Sequence, residues 1–363
     1  MGKDPVSSIE FFGKLRYNEE KSTQEGYFME YRELGKTGLK ISRLGFGGIP
    51  IQRIDAEGTK KLMRELLEAG VNFIDTARGY TVSEEYLGYA LEGIRDKFVL
   101  ATKSMSRDKE GMAKDIETSL KNLRTDYIDL YQIHNATPEQ LEQITAPGGA
   151  LEALQEAKAA GKIGHIGLTA HSLDTFKLAL EADWVETFMF PYNIVETQAE
   201  SLVKQCAQKG IGFICMKPLA GGAIEDATLA LRWICANEAV SVVIPGMADP
   251  KELEQNQAAV NDTAPLSAEE NAKVLEIRST LGTNFCRRCN YCQPCAAGIN
   301  ISACFLFEGY LSRYGLGEWA KGRYDAMGKH ASDCIGCGAC EDRCPYNLPI
   351  REMLKGVAAK LGH

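Results

Sequence analysis

Four residues at or just past the ends of three apolar runs are suited to moving a proton. The stretch 73–80, F-I-D-T-A-R-G-Y, sets a carboxylate, Asp75, and a phenol, Tyr80, just beyond an apolar run. Residues 98–104, F-V-L-A-T-K-S, deliver Lys103 at the end of a second run, and 127–135, Y-I-D-L-Y-Q-I-H-N, deliver His134 at the end of a third. Singly, an aspartate after a strand is often a loop cap and a tyrosine a packing residue. Together they matter, because parallel strands closed into a barrel aim the side chains at their carboxyl ends into one pocket.

A free phenol loses its proton near pH 10, too high for work at neutral pH. An ammonium beside it favours the phenolate and lowers that value, while an aspartate paired with the lysine holds the ammonium in place. A neutral imidazole can donate a hydrogen bond to a carbonyl oxygen on which negative charge develops. The expected chemistry is protonation of a ketone or aldehyde oxygen while hydride arrives at carbon.

The rest of the chain must position this set. Its 363 residues suit one barrel of about 250 plus something smaller. With 45% hydrophobic and 25% charged residues, general disorder is not expected. A net charge of -8 argues against nucleic acid or an anionic membrane as main partner. No apolar run is long enough to span a bilayer, and the N-terminus lacks a secretory cleavage pattern, so a cytoplasmic protein is expected. Residues 1–28 are polar and mixed, and Met29 reads like a natural start; the leader is expected to be a cloning extension or a loosely packed arm.

From residue 31 two short strands joined through Gly35 and Gly38 suggest a plug for the bottom of a barrel, and L-G-F-G-G at 44–48 suggests a first strand whose glycines admit close approach. Helical periodicity recurs near 57–69, 83–93, 111–123, 150–161, 172–181, 196–209, 224–236 and 250–259. Strand-like runs lie at 71–74, 98–102, 127–132, 163–168, 185–190, 211–216 and 240–244. Such regular alternation predicts a closed α/β (TIM) barrel of eight strand–helix pairs.

These residues carry a family resemblance. Residues 29–48, F-I-D-T-A-R-G-Y with S-E-E-Y-L-G, A-T-K-S, D-Y-I-D-L-Y-Q-I-H, G-K-I-G-H-I-G-L-T and V-I-P-G, in this order over 29–280, resemble an aldo-keto reductase. The resemblance implies a TIM barrel, an extended nicotinamide cofactor, and a tetrad formed by Asp75, Tyr80, Lys103 and His134. It also implies cofactor contacts at Gly47, Gly48, Thr169, Pro218, Leu219, Gly246 and Asn256. The chain departs from the family pattern on the cofactor side: Thr169-Ala170 stand where Ser-Asn is usual, Met189 replaces a glutamine, Met216 a stacking aromatic, and Gly246 and Glu252 occupy the positions that usually clamp a 2'-phosphate. NADP(H) and NAD(H) are therefore both kept. His165 reads as packed, His171 as a ligand contact or helix-start residue, and Lys217 as a residue that could face cofactor or substrate.

Twelve cysteines without a secretory signal do not read as disulfides. Cys206, Cys215 and Cys235 are scattered through the barrel. Eight others form two runs: Cys286, Cys289, Cys292 and Cys295, then Cys334, Cys337, Cys340 and Cys344 followed by proline. The second is C-x2-C-x2-C-x3-C-P, a bacterial ferredoxin spacing in which the fourth cysteine ligates the other cluster. Two 4Fe-4S clusters are predicted, one on Cys286, Cys289, Cys292 and Cys344, the other on Cys334, Cys337, Cys340 and Cys295; the shortened C-x2-C spacing before Cys295 leaves a single-cluster form as an alternative. Zinc on paired C-x2-C motifs is the alternative, and runs ending in C-P favour iron-sulfur. The segment between the runs has helical periodicity, and Cys304 is left over as a packed residue.

The expected organisation is an N-terminal extension (1–28), an aldo-keto reductase-like barrel (29–282) and a small α-helical ferredoxin-like domain (283–363). The expected function is NAD(P)(H)-dependent reduction of a small carbonyl, or the reverse, with Tyr80 as acid. The alternative is an electron-relay or redox-sensing protein whose barrel is a docking module. Hydride carries two electrons and each cluster ordinarily takes one, with no flavin motif to convert between them, so a ferredoxin or flavoprotein partner is considered.

Overall fold

The computed structural model describes residues 29–282 and 284–362, so the expectation for residues 1–28 lies outside the described residues. Eight strands pair in parallel and in chain order: β3 (Phe46–Gly47), β4 (Phe73–Asp75), β5 (Val99–Ser104), β6 (Ile128–Ile133), β7 (Ile163–Thr169), β8 (Thr187–Pro191), β9 (Gly212–Met216) and β10 (Val242–Val243). The first meets the last through parallel bridges Leu44–Val243 and Gly47–Gly246, with Gly45 N donating to Val243 O at 2.8 Å. The sheet is thereby a closed barrel. Helices lie outside it, and strands such as β8 are buried along their whole length, which is why they read as continuous apolar runs.

Helix formation follows local signals. In α1 (Ala56–Glu68) the Asp55 carboxylate caps Gly58 N, and Thr59, Leu62, Met63 and Leu66 repeat at helical spacing and are buried. The remaining outer helices are α2 (Ser83–Ala90), α3 (Lys109–Asn122), α4 (Pro138–Thr145), α5 (Ala150–Ala159), α6 (Leu173–Leu180), α7 (Glu200–Lys209), α8 (Ala227–Cys235), α9 (Pro250–Asn261) and α10 (Ala268–Leu281). The sequence reading did not include α4 or α10. The first is a short helix inside a strand–helix connection, where a Thr137 capping box overrides a weak apolar pattern; the second buries little beyond Val274, so its periodicity is faint.

Strand parity sorts the core. Phe73, Ala101, Leu130, Met189, Ile214 and Val242 fill the barrel interior, whereas Ile74, Leu100 and Tyr131 pack outward against helices. Side chains two residues apart share a face, so Asp75, Lys103, Gln132 and His134 continue the interior rows towards the carboxyl ends. The hairpin β1 (Tyr31–Glu33) and β2 (Lys40–Ser42) plugs the opposite end, with Leu34 and Ile41 in the interior cluster. Gly35 adopts φ 60, and a Cβ there would meet Gly212 N at 2.3 Å, so glycine is required where hairpin and barrel touch.

After the barrel come α11 (Ile301–Ser312), α12 (Gly317–Asp325), α13 (Ala339–Asp342) and α14 (Ile350–Leu361). They enclose a separate core of Ile299, Ile301, Cys304, Tyr324, Leu348, Leu354 and Val357 together with cysteines of both runs. No helix among the described residues is long and apolar enough to cross a membrane. Because Leu34 is fully buried in the plug, Leu34→Ala is expected to destabilise the protein by about 2–4 kcal/mol through lost burial and a residual cavity; chemical denaturation measures it, and a loss under about 1 kcal/mol would mean the plug is not part of the core.

Candidate active site

The Asp75 carboxylate, 3% exposed, accepts hydrogen bonds from Lys103 Nζ on one oxygen and from Gln132 Nε2 at 3.0 Å on the other. Lys103 Nζ donates a further bond to Thr76 O at 2.8 Å and stands 5.0 Å from the centroid of the Tyr80 ring. The rings of Tyr80 and His134 meet edge to face with centroids 6.1 Å apart. The four residues singled out from the sequence are therefore gathered at one place. Gln132, one interior row below His134, was missed; the signal was its parity on β6.

The turn that carries Tyr80 is held by a buried acid. Glu84, 1% exposed, accepts from Thr102 Oγ1 and Ser119 Oγ, both at 2.8 Å, and from Arg78 Nη1 at 2.7 Å. Arg78 N also donates to Lys103 O at 3.0 Å. These bonds tie the loop after β4 to α2, β5 and α3.

Burial pushes Asp75 above its ordinary value and Lys103 below its own, and each partly restores the charge of the other. Tyr80 departs from the expectation. Burial, then the negative charge of Asp75, pushes its phenol well above the usual tyrosine value rather than below it. The lysine stands against the ring and is engaged by Asp75, so in the resting site its charge does not offset the burial of the phenol. Tyr80 is thus a neutral hydroxyl, suited to giving a proton.

Burial, followed by the charges of Lys103, Arg107 and Lys217, holds His134 well below its ordinary value, and its Nδ1 has no hydrogen-bond partner. His171 is held down by burial, Arg288, Lys217 and His134; its Nδ1 pairs with Asn135 Oδ1 at 2.9 Å and its Nε2 is unpartnered. Lys217 is lowered to about 7, by burial first and then by Arg288. His165 pairs with Glu186 at 2.7 Å on the barrel wall, the packed role expected of it.

Asp75, Tyr80, Lys103, His134, His171 and Lys217 line a cavity of about 520 Å³. Gly47, Gly48, Thr169, Pro218, Leu219 and Gly246 share its walls, as do Met189, Met216 and Glu252; Asn256, buried on α9, does not. At Gly47 and Gly48 the close approach is that of neighbouring backbone, since a Cβ would meet Ile244 O at 2.9 Å and Asp75 O at 2.8 Å respectively. Glu252 does not point free charge at a phosphate; its carboxylate accepts from Ala248 N at 2.7 Å and Asp249 N at 3.2 Å in the capping box of α9.

The cavity roof comes from the cysteine-rich segment, which sequence reasoning treated as separate. Arg288, Cys289, Leu306, Tyr310, Tyr314 and Trp319 line it. Tyr310 packs edge-on against Trp319 and Tyr314 at 5.0 and 5.1 Å, and Arg313 Nε donates to Gly221 O at 2.9 Å, fixing α11 to the loop after β9.

Among the described residues no three His, Cys, Asp or Glu side chains close on a point able to hold a single metal ion. Cys295, Cys334, Cys337 and Cys340 line one small cavity beside Leu354. Burial raises the Cys286 thiol to about 11, with Cys289 and Cys344 adding to the rise, and raises Cys292 to about 12, with Cys286 and Cys289 adding. The cysteines of the two runs thus lie close together, Cys295 with Cys334, Cys337 and Cys340, and Cys344 near Cys286, while Cys292 lies near Cys286, Cys289 and Cys340. Arg343 Nη2 bonds Cys292 O at 2.8 Å and Pro294 O at 2.7 Å, joining the two runs.

Comparison with known proteins follows this geometry. The aldo/keto reductase family model matches residues 43–229 and 225–279, and a 4Fe-4S dicluster domain model matches 285–349. L-galactose dehydrogenase of Arabidopsis thaliana is 30% identical over 67% of this chain and 91% of its own length, and aldo-keto reductase YhdN of Bacillus subtilis 32% identical over 55% and 66%. An aldo-keto reductase of Bacillus halodurans in its holo form superposes with a TM-score of 0.60 at 27% identity, covering 69% of this chain and 96% of that one. The chain belongs to the aldo/keto reductase family and is an oxidoreductase enzyme with a C-terminal 4Fe-4S domain.

Both histidines should be neutral at about pH 6, where a free imidazole is mostly charged. Nitrogen NMR of the ring atoms of His134 and His171 checks this; protonated rings at that pH would contradict the buried, cation-rich setting. By linkage, the unfolded chain takes up protons below its ordinary value of about 6.5, so these two residues lower stability as pH falls through that point.

Proposed function

We propose that the protein reduces a small aldehyde or ketone, or oxidises the matching alcohol, with NADP(H) or NAD(H), using Tyr80 as the proton donor. The observation that carries this reading is the buried Asp75–Lys103 pair beneath Tyr80, with His134 against the same ring, lining one cavity at the barrel mouth. A reduced nicotinamide, when bound, supplies hydride to the carbonyl carbon. Gly47, Gly48, Thr169, Pro218, Leu219 and Gly246 are its proposed walls, with Asn256 supporting them from α9.

The phenol hydroxyl of Tyr80 gives its proton to the carbonyl oxygen: the phenolic O–H breaks and the alcohol O–H forms. The resulting phenolate is stabilised by the nearby ammonium of Lys103, which Asp75, Thr76 O and Gln132 hold in position. His134, kept neutral, donates a hydrogen bond to the same oxygen. The alcohol leaves, and solvent returns a proton to Tyr80.

The tail is proposed to carry two 4Fe-4S clusters on the crossed cysteine sets. Supporting this are Cys295, Cys334, Cys337 and Cys340 around one cavity and the burial of Cys292, Cys340 and Cys344 in one small core with Cys286 packed against it. Ile335, 68% exposed between Cys334 and Cys337, suits exchange of single electrons with an outside ferredoxin or flavoprotein.

Three measurements test the reading. Tyr80→Phe should lower kcat for reduction of small aldehydes by about 10²-fold or more while nucleotide binding persists; unchanged turnover would remove the tetrad from the mechanism. With the phenol raised, wild-type reduction should not lose its proton donor between about pH 6 and 9, and a loss with a midpoint below 8 would assign the proton to another group. Iron analysis should give about eight atoms per chain, falling by about half in Cys295→Ser; an unchanged count in that variant would overturn the crossed ligand assignment.

A further inference from the structure

We infer that Arg288 makes the mouth of the barrel an anion site, so that the cavity takes a small carbonyl compound, or its alcohol, bearing a carboxylate or phosphate. The charge is held by the cysteine loop rather than by the barrel. This rests on the carbonyl-reducing reading above.

Arg288 sits between Cys286 and Cys289 with φ 57, a left-handed backbone that non-glycine residues adopt infrequently. Its side chain is 12% exposed and lines the active-site cavity together with His134, His171 and Lys217. Both Nε and Nη2 are buried without a hydrogen-bond partner. A guanidinium removed from water with unmet donors is costly unless an acceptor arrives. Two donors in a fixed fork match the paired oxygens of a carboxylate or phosphate, which a lysine does not.

The acidic neighbour does not meet this demand. Glu196, fully buried on the loop after β8, holds one oxygen 3.6 Å from Arg288 Nη2, beyond a hydrogen bond, and its other oxygen accepts from Asn193 Nδ2 at 2.8 Å. Lys217, lowered to about 7 and so only partly charged near neutrality, faces the same cavity and adds a second donor beside the guanidinium. Arg313 is already engaged by Gly221 O and Glu308. His171 Nε2, also unpartnered, offers a further polar contact.

Position favours the substrate over the nucleotide as source of the anion. Lys217 acts on both His134 and His171, and Arg288 acts on His171. Lys217 therefore adjoins the imidazole proposed to face the carbonyl oxygen, and Arg288 adjoins the second histidine of the same cavity. The left-handed loop that presents Arg288 is bracketed by two proposed cluster ligands, so iron loading and anion recognition share one segment.

The test uses the full-length, iron-loaded protein under anaerobic conditions. Calorimetric titration with succinate should give saturable binding that Arg288→Gln weakens about tenfold or more and Arg288→Lys only partly restores, since a charged hydrogen bond is lost. The preference in kcat/KM for succinic semialdehyde over butanal should fall by a similar factor. Absence of succinate binding to the wild type, or equal binding by Arg288→Gln, would overturn the inference. So would a loss of NADH or NADPH affinity in Arg288→Gln with succinate binding intact, which would assign the guanidinium to the nucleotide phosphates. Should Arg288→Gln lose its iron, Glu196→Gln carries the test: freeing the guanidinium of its acidic neighbour should tighten succinate severalfold, and unchanged or weaker binding would refute the site. Succinate binding without turnover of either aldehyde would count against the reductase reading while leaving the anion site standing.

Discussion

The buried ion pair of Asp75 and Lys103 is the constraint on which the site depends. Two opposite charges removed from water are tolerable only when geometry and extra hydrogen bonds compensate for lost hydration. Here Gln132 and Thr76 O supply those bonds. The arrangement demands that three neighbouring strands present residues of the same parity at the same height. It also demands that the barrel be closed, so that no water reaches the pair from the side. The seam between β3 and β10, with glycines where adjoining backbone and Pro50 would collide with a Cβ, serves that closure.

Tyr80 is coupled to the pair without forming part of it. Held on a turn anchored by Arg78 and Glu84, its ring lies near the ammonium while its hydroxyl stays protonated. An acid in this state donates its proton only when a substrate oxygen gains negative charge. In the proposed reaction the lysine acts as the phenolate forms, not before it. Preorganised charge of this kind costs no rearrangement during the reaction.

The cysteine-rich segment changes the meaning of the barrel mouth. Its aromatic trio and its arginine complete a cavity that the barrel alone leaves open, and its own small core contains the cysteines themselves. Ligation of a cluster couples to folding wherever the ligands belong to the core. Iron-sulfur ligation in this domain and the shape of the cavity are therefore linked through the same packing.

Much of this was legible in the chain. Apolar runs ending in Asp75, Lys103 and His134 set the barrel, the parity and the convergence, because period-two alternation fixes which side chains face inward. The spacing of Cys334, Cys337, Cys340, Cys344 and Pro345 set the iron-sulfur reading. Other features were not local. The direction of the Tyr80 shift depends on burial and on how far Asp75 neutralises Lys103; Glu252 reads as a hostile charge until its carboxylate is seen capping α9; Gln132 acquires a role only when Asp75 lies beside it. Above all, nothing in the sequence announced that Arg288, Tyr310, Tyr314 and Trp319 roof the cavity. Periodicity and ligand spacing are properties of neighbouring residues, and the chain states them by itself. Which surface the tail covers is set by packing between segments far apart in sequence, and only the tertiary structure decides that.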